Sequence, residues 1–221
     1  MSEILLYDYW RSSAAYRVRI ALNLKALPYR QQSVHLVRDG GEQKTPAYRA
    51  VNPQGLVPSL ELDGITLTQS LAIIEWLEER HPQPALLPSD PDQRAWVRAM
   101  AQTVACDIHP LNNLRVMNWL KADENGAMPG DSYMSWYHHW IKEGFRAIET
   151  QLENSQVAGL CCHADTPGLA DVCLIPQVYN AERFNCGLEE FPRIRTIVEY
   201  CRKIPAFEKA LPENQPDAVT A

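Results

Sequence analysis

Asn52-Pro53-Gln54-Gly55-Leu56-Val57-Pro58-Ser59-Leu60-Glu61-Leu62-Asp63-Gly64-Ile65-Thr66-Leu67-Thr68-Gln69-Ser70 carries most of the information about architecture. Asp63-Gly64 separates two short runs, Ser59–Leu62 and Ile65–Thr68, and supplies the positive φ angles that a two-residue hairpin turn needs. Gln69 and Ser70 then open an amphipathic helix through Leu71, Ile74 and Leu77, closing near His81-Pro82. Val57-Pro58 lies immediately before the first strand of the hairpin. A cis bond there would turn the Val57 N–H and C=O outward, where an extended peptide ligand could pair with them.

Upstream, Ile4-Leu5-Leu6-Tyr7 is a short apolar run suited to a buried strand. Ser12-Ser13 precede Val18, Ile20, Ala21, Leu22 and Leu24, which predicts a helix with hydroxyl residues at its start. Tyr29 to Leu36 reads as a second strand, with Val34 and Leu36 in alternation, and Val37 to Gln43 as a polar loop. The order is therefore strand, helix, strand, variable segment, hairpin, helix. Pro82, Pro84, Pro88 and Pro91 mark an interdomain linker, which divides the chain into residues 1–84 and 89–221. The second part reads as helical: Trp136, Trp140, Gly144, Ile148 and Leu152 recur every four residues, with Ile141 and Phe145 widening the stripe into the core face of a bundle.

Composition narrows the function classes. The 221 residues are 46% hydrophobic and 22% charged, as in an ordinary globular protein. A net charge of -6 argues against nucleic acid as the main partner. The first ten residues carry Glu3 and Asp8 and have no long apolar core, so they do not resemble an export signal, and no stretch is apolar enough to span a bilayer. A cytoplasmic location is expected, with the six cysteines as thiols. They include no C-x-x-C pair, and the adjacent Cys161-Cys162 before His163 chelates poorly, so no metal site is expected.

Two short motifs point to an anionic ligand. Tyr9-Trp10-Arg11-Ser12-Ser13 places hydroxyls where a strand passes into a helix, whose free N–H groups and positive dipole end favour a thiolate. Such a site raises the ionised fraction of a thiol, otherwise partial at neutral pH. Gln69-Ser70 opens a second helix, where a carboxylate is held well. Each is also what plain helix capping looks like. The pair, joined by a Pro-preceded strand in one short domain, is more informative.

These pieces resemble the zeta class of glutathione transferases, the group of maleylacetoacetate and maleylpyruvate isomerases. The resemblance rests on Arg11-Ser12-Ser13 with Arg17-Val18-Arg19-Ile20-Ala21-Leu22, on Asn52-Pro53-Gln54 with Val57-Pro58, and on Gln69-Ser70-Leu71-Ala72-Ile73-Ile74-Glu75. It continues through Cys106-Asp107-Ile108-His109-Pro110-Leu111-Asn112-Asn113-Leu114-Arg115, Leu169-Ala170-Asp171 and Glu182-Arg183-Phe184, nearly the whole chain in order. It implies an α/β thioredoxin-like N-terminal domain, an all-α helical C-terminal domain and a homodimer. It also implies that glutathione is the cofactor: Val57 pairs with its backbone, Gln69 and Ser70 hold its γ-glutamyl end, and Ser12 or Ser13 faces its sulfur. Gln43, His109, Asn113 and Arg115 line the cleft on the same grounds, although a His before Pro also serves simply to end or kink a helix.

The reaction implied is cis–trans isomerisation of a maleyl-type oxo acid, a dicarboxylate. Thiolate addition turns the double bond temporarily into a single bond, so the protein must favour the thiolate and anchor the carboxylates. Ser12 is the first candidate to bond the sulfur and Ser13 the second, while Arg11 and Arg183 are the candidates for the carboxylates. Two other readings use the same residues: a conjugating transferase for electrophiles, and a non-enzymatic interaction protein on the same fold. The chain departs from the family at Ala14, often Cys, which removes a mixed disulfide there. It departs again at Gly168, usually Ser or Thr, where Gly is a tolerable helix cap costing a few tenths of a kcal/mol.

Overall fold

The computed structural model describes residues 3–122, 126–129 and 132–219. They form two compact units, one of residues 1–87 with 202–221 and one of residues 88–201. The first is built on a four-stranded sheet. Strands β1 (Ile4–Asp8) and β2 (Tyr29–Ser33) run parallel, joined by helix α1 (Ser13–Leu24). Strands β3 (Ser59–Leu62) and β4 (Ile65–Thr68) form the antiparallel hairpin, and the sheet order is β2-β1-β3-β4. Asp63 and Gly64 have φ of 52° and 77°, the two positive angles the hairpin turn demands. Leu6 and Leu60 stand opposite each other at the centre, both fully buried.

Around the sheet lie α2 (Pro46–Val51), α3 (Ser70–Arg80) and, from the C-terminal segment, α9 (Pro205–Ala210). Two sequence expectations change here. The second strand stops at Ser33, because its partner β1 stops at Asp8; a last bond from Val34 N to Asp8 O closes the ladder. Helix α2, in a segment read as variable, is capped by Thr45, whose hydroxyl accepts from Tyr48 N, with Pro46 in the first turn.

The C-terminal twenty residues were expected in the helical domain, yet they group with the sheet. A buried cation explains it. Arg19, on α1, donates from Nε to Ala210 O, from Nη1 to both Asp8 oxygens and from Nη2 to Trp10 O. Helix α1 is therefore buried over most of its length, with Arg17 and Arg19 as deep as Val18 and Ile20, since α3 and α9 also cover it. Glu78 performs a similar service at the unit's edge: it pairs with Lys25 Nζ at 2.7 Å and accepts from Leu86 N and Leu87 N.

The second unit is helical among its described residues: α4 (Pro91–Gln102), α5 (Leu114–Lys121), α6 (Ser132–Glu153), α7 (Leu169–Arg183) and α8 (Pro192–Cys201). Asp90 caps α4 and Asn113 caps α5. Of the α6 stripe, Ile141, Phe145, Ile148 and Leu152 are buried core, with Phe145 edge to face on Phe191, whereas Trp136 and Trp140 are half-buried. Gly144 lets α6 approach Ile108 so closely that a Cβ there would collide with its side chain. Gly168 does sit at the N-cap of α7 without a side-chain bond, but Asp171 reaches back to it, accepting from Gly168 N on one oxygen and Cys162 N on the other. Asp171 also lies within 4.8 Å of the buried Cys161 and Cys201 sulfurs. Burial pushes the Cys162 thiol up, and a hydrogen bond with Cys161, followed by burial, pushes the Cys201 thiol up. His163 stands apart from that group, bonding Gln93 Oε1 at 2.9 Å.

Candidate active site

In the first unit the chain leaves β1 at Asp8, turns through Tyr9-Trp10-Arg11 and enters α1. Ser12 N bonds back to Tyr9 O, closing the turn, and Ser12 Oγ accepts from Ala15 N at 3.2 Å as the N-cap. The capping expectation is thus met, and it does not use up the hydroxyl. An N-cap serine spends a lone pair and keeps its O–H to donate to an anion outside the helix. Ser12 is half-buried and Ser13 buried. The first turn of α1 contains no acidic residue, so nothing in the helix offsets the positive end of its dipole.

Ser70 begins α3, whose first turn is also free of acids. Its Oγ accepts from Arg17 Nη1 at 3.3 Å, so a buried guanidinium stands behind this helix start. Gln69 holds φ +70°, a conformation that side-chain-bearing residues adopt at a cost of about 1–3 kcal/mol, and it donates from Nε2 to Gln54 Oε1 at 2.8 Å.

The Val57-Pro58 bond is cis. The Val57 side chain packs with Tyr9, Trp10, Val34 and Tyr48. The preceding carbonyl, Leu56 O, accepts from Tyr48 Oη and Asn52 Nδ2, both at 2.7 Å, which fixes the approach to Val57. Among the described residues no hydrogen bond engages the Val57 amide or carbonyl. Gln43 donates from Nε2 to Leu36 O, and its Oε1 is buried without a partner among the described residues. Gly41, at φ +105°, leaves the room that this side chain fills. Arg11 is exposed, with its guanidinium 3.9 Å from the Trp10 ring centroid.

In the second unit, α4 runs into a π-helical turn, Thr103–Ile108, and a 3-10 turn, His109–Asn112. This interruption before Pro110 brings His109 Nε2 to 3.5 Å from Asn113 Nδ2, while Asn113 Oδ1 caps α5 through Arg115 N. Arg115 is exposed. Arg183 ends α7, exposed, its guanidinium 4.8 Å from the Phe184 ring centroid. Beside it Tyr137 Oη donates to Asn180 Oδ1 at 2.6 Å, and burial pushes the Tyr137 phenol up. The structure thus draws Ser12, Ser13, Val57, Gln69, Ser70 and Gln43 into the first unit, and His109, Asn113, Arg115 and Arg183 into the second.

Arg17 and Tyr48 received no role from the sequence. Arg17 carried a signal, a charge set among core positions on α1, whereas Tyr48 lies in a helix that the pattern did not reveal.

The described helices include none long and apolar enough to cross a membrane. Residues 6–85 match the family described as glutathione S-transferase, N-terminal domain. A Pseudomonas aeruginosa protein named maleylacetoacetate isomerase is 51% identical over 217 residues, 98% of this chain and 99% of its own. The holo structure of a maleylpyruvate isomerase, a bacterial zeta-class glutathione S-transferase, superposes with a TM-score of 0.93 at 46% identity, covering 97% of this chain and all of that one. A maleylacetoacetate isomerase from Methylobacterium extorquens AM1, with bound malonate and glutathione, gives 0.92 at 40% identity over 98% of this chain and all of that one.

Proposed function

Because the chain belongs to the glutathione S-transferase family, in the zeta class of maleylacetoacetate and maleylpyruvate isomerases, we propose that its two acid-free helix starts divide glutathione between them. The protein is a glutathione-dependent isomerase that converts the cis double bond of a maleyl oxo acid to trans, in the breakdown of aromatic compounds. The relatives' names favour this over a general conjugating transferase. Glutathione, when bound, supplies a thiolate that adds to the double bond and leaves after rotation.

The chain's own residues do the rest. Ser12 donates its O–H to the sulfur while its lone pair holds Ala15 N, so the cap fixes the hydroxyl's direction. The α1 dipole adds a favourable field, and Ser13 stands next in line. Ser70 and the Gln69 amide region take the γ-glutamyl carboxylate at the start of α3, backed by Arg17. The Val57 amide and carbonyl pair with the peptide backbone, and Gln43 Oε1 accepts from a ligand N–H. Arg11 in the first unit and Arg183 in the second are each the candidate for a substrate carboxylate, and His109, Asn113 and Arg115 are the second unit's other candidate residues. The reading includes a homodimer and a cytoplasmic location.

The observation that carries the thiol assignment is the Ser12 hydroxyl, fixed as a cap at the start of a helix without acids. A pH titration of bound glutathione by the ultraviolet absorbance of its thiolate tests it: Ser12→Ala should raise the thiol pKa, and an unmoved pKa would remove Ser12 from the role.

A further inference from the structure

The last described residues return to the loop that precedes α1. Asp217 Oδ2 accepts from Trp10 N at 3.2 Å and from Ser33 Oγ at 2.9 Å. Ala218 packs against the cluster of Tyr9, Trp10, Val34, Tyr48 and Val57. The tail is itself tied down. Gln215 is buried; it accepts from Gln31 Nε2 at 2.9 Å and donates from its own Nε2 to Lys209 O and Leu211 O, and Ala218 N closes onto Gln215 O. The next peptide is held as well, since Arg19 Nη2 donates to Trp10 O at 3.0 Å. Trp10 is thus gripped at its N–H by the tail and at its C=O by α1, two residues before Ser12.

We propose that Asp217 is a positioning residue for the isomerase: through Trp10 N it sets the Tyr9–Ser12 turn, and with it the direction of the Ser12 hydroxyl. This rests on the role given to Ser12 above. A backbone turn of four residues has few internal bonds, here Ser12 N to Tyr9 O, so an external acceptor on Trp10 N restricts the conformers that the helix start samples. It also gives the C-terminal segment a reason to pack with the sheet. The contact is a hydrogen bond and not a charge requirement. A carboxylate near a thiolate would by itself oppose ionisation, so any benefit to the thiol has to come from geometry.

The test uses the full chain carrying Asp217→Ala, Asp217→Asn, Ser33→Ala or Ser12→Ala, with bound glutathione titrated by thiolate absorbance and kcat measured on the maleyl substrate. Asp217→Ala should lower kcat by about three- to tenfold, as for one lost hydrogen bond. It should raise the thiol pKa by about half a unit to one unit, and expose the Trp10 amide to hydrogen exchange. Asp217→Asn, which keeps an acceptor oxygen, should restore all three. Ser33→Ala, which leaves the Trp10 bond in place, should give a smaller effect. A merely structural role would lower the melting temperature and leave the pKa where it is. If Ser12→Ala raises the pKa and Asp217→Ala leaves it unchanged, the positioning role is overturned and the Ser12 reading stands. If Ser12→Ala leaves it unchanged, the Ser12 reading falls, and the proposed route from Asp217 to the thiol falls with it.

Discussion

Arg19 Nη1 bridges both carboxylate oxygens of Asp8, at 2.8 and 2.9 Å, with the two side chains 0% and 2% exposed. The remaining guanidinium nitrogens hold Trp10 O and Ala210 O. One cation therefore ties β1, the loop after it and the C-terminal helix to α1. Removing one partner strands the other charge in the core, so Asp8→Ala or Arg19→Ala should destabilise the protein by about 3–5 kcal/mol in urea unfolding. Arg19→Lys should rescue only part of this, because an ammonium keeps the charge but not the fork that reaches two further carbonyls. A loss below about 1 kcal/mol in both alanine variants would mean that the pair is solvated.

Ser12→Ala separates two jobs of one hydroxyl. Loss of the cap should cost about 1 kcal/mol of stability. Loss of a hydrogen bond to a charged sulfur, about 1.5–3 kcal/mol, should lower kcat roughly ten- to a hundredfold. Ser12→Asp would keep the cap but place a negative charge at the sulfur, so stability should stay near wild type while activity is lost. Equal activity in all three proteins, measured by steady-state kinetics, would refute the assignment.

Much of this was readable beforehand, and the failures have physical causes. The hairpin was legible because Asp63-Gly64 encodes its turn locally, and α1 and α3 because caps and periodicity coincide. Helix α2 was not, since six residues do not show a period. The return of residues 202–221 to the sheet was invisible, because it depends on Arg19 meeting Ala210 O, a contact 191 residues apart in the chain. Of the residues proposed for the site, Ser12, Val57, Gln69 and Ser70 could be named from motifs, while the roles proposed for Asp217 and Arg17 could not, as they come from what these side chains touch.

Arg183 ends α7 exposed, stacked beside Phe184. Arg183→Ala should raise KM for the maleyl substrate, or lower turnover, about tenfold or more through loss of a charged hydrogen bond. Affinity for glutathione, measured by calorimetry, should not change. Kinetics equal to wild type would take Arg183 out of the substrate site.

Thiol labelling gives an independent check on the core. Cys106 is exposed and the other five cysteines are buried, with the Cys162, Cys186 and Cys201 thiols pushed up mainly by burial or by a neighbouring thiol. Thiolate is the reactive form, so the native protein should label rapidly at one site, Cys106, and at six only after denaturation. Two or more fast sites in the native protein would contradict the packing around α7 and α8.

The most direct test follows the ultraviolet absorbance of maleylacetoacetate and of maleylpyruvate incubated with the purified protein, with and without glutathione, and identifies the trans product. Conversion should require glutathione, with the faster substrate marking the pathway served. Binding of glutathione without conversion of either acid would contradict the isomerase and leave a conjugating transferase in its place.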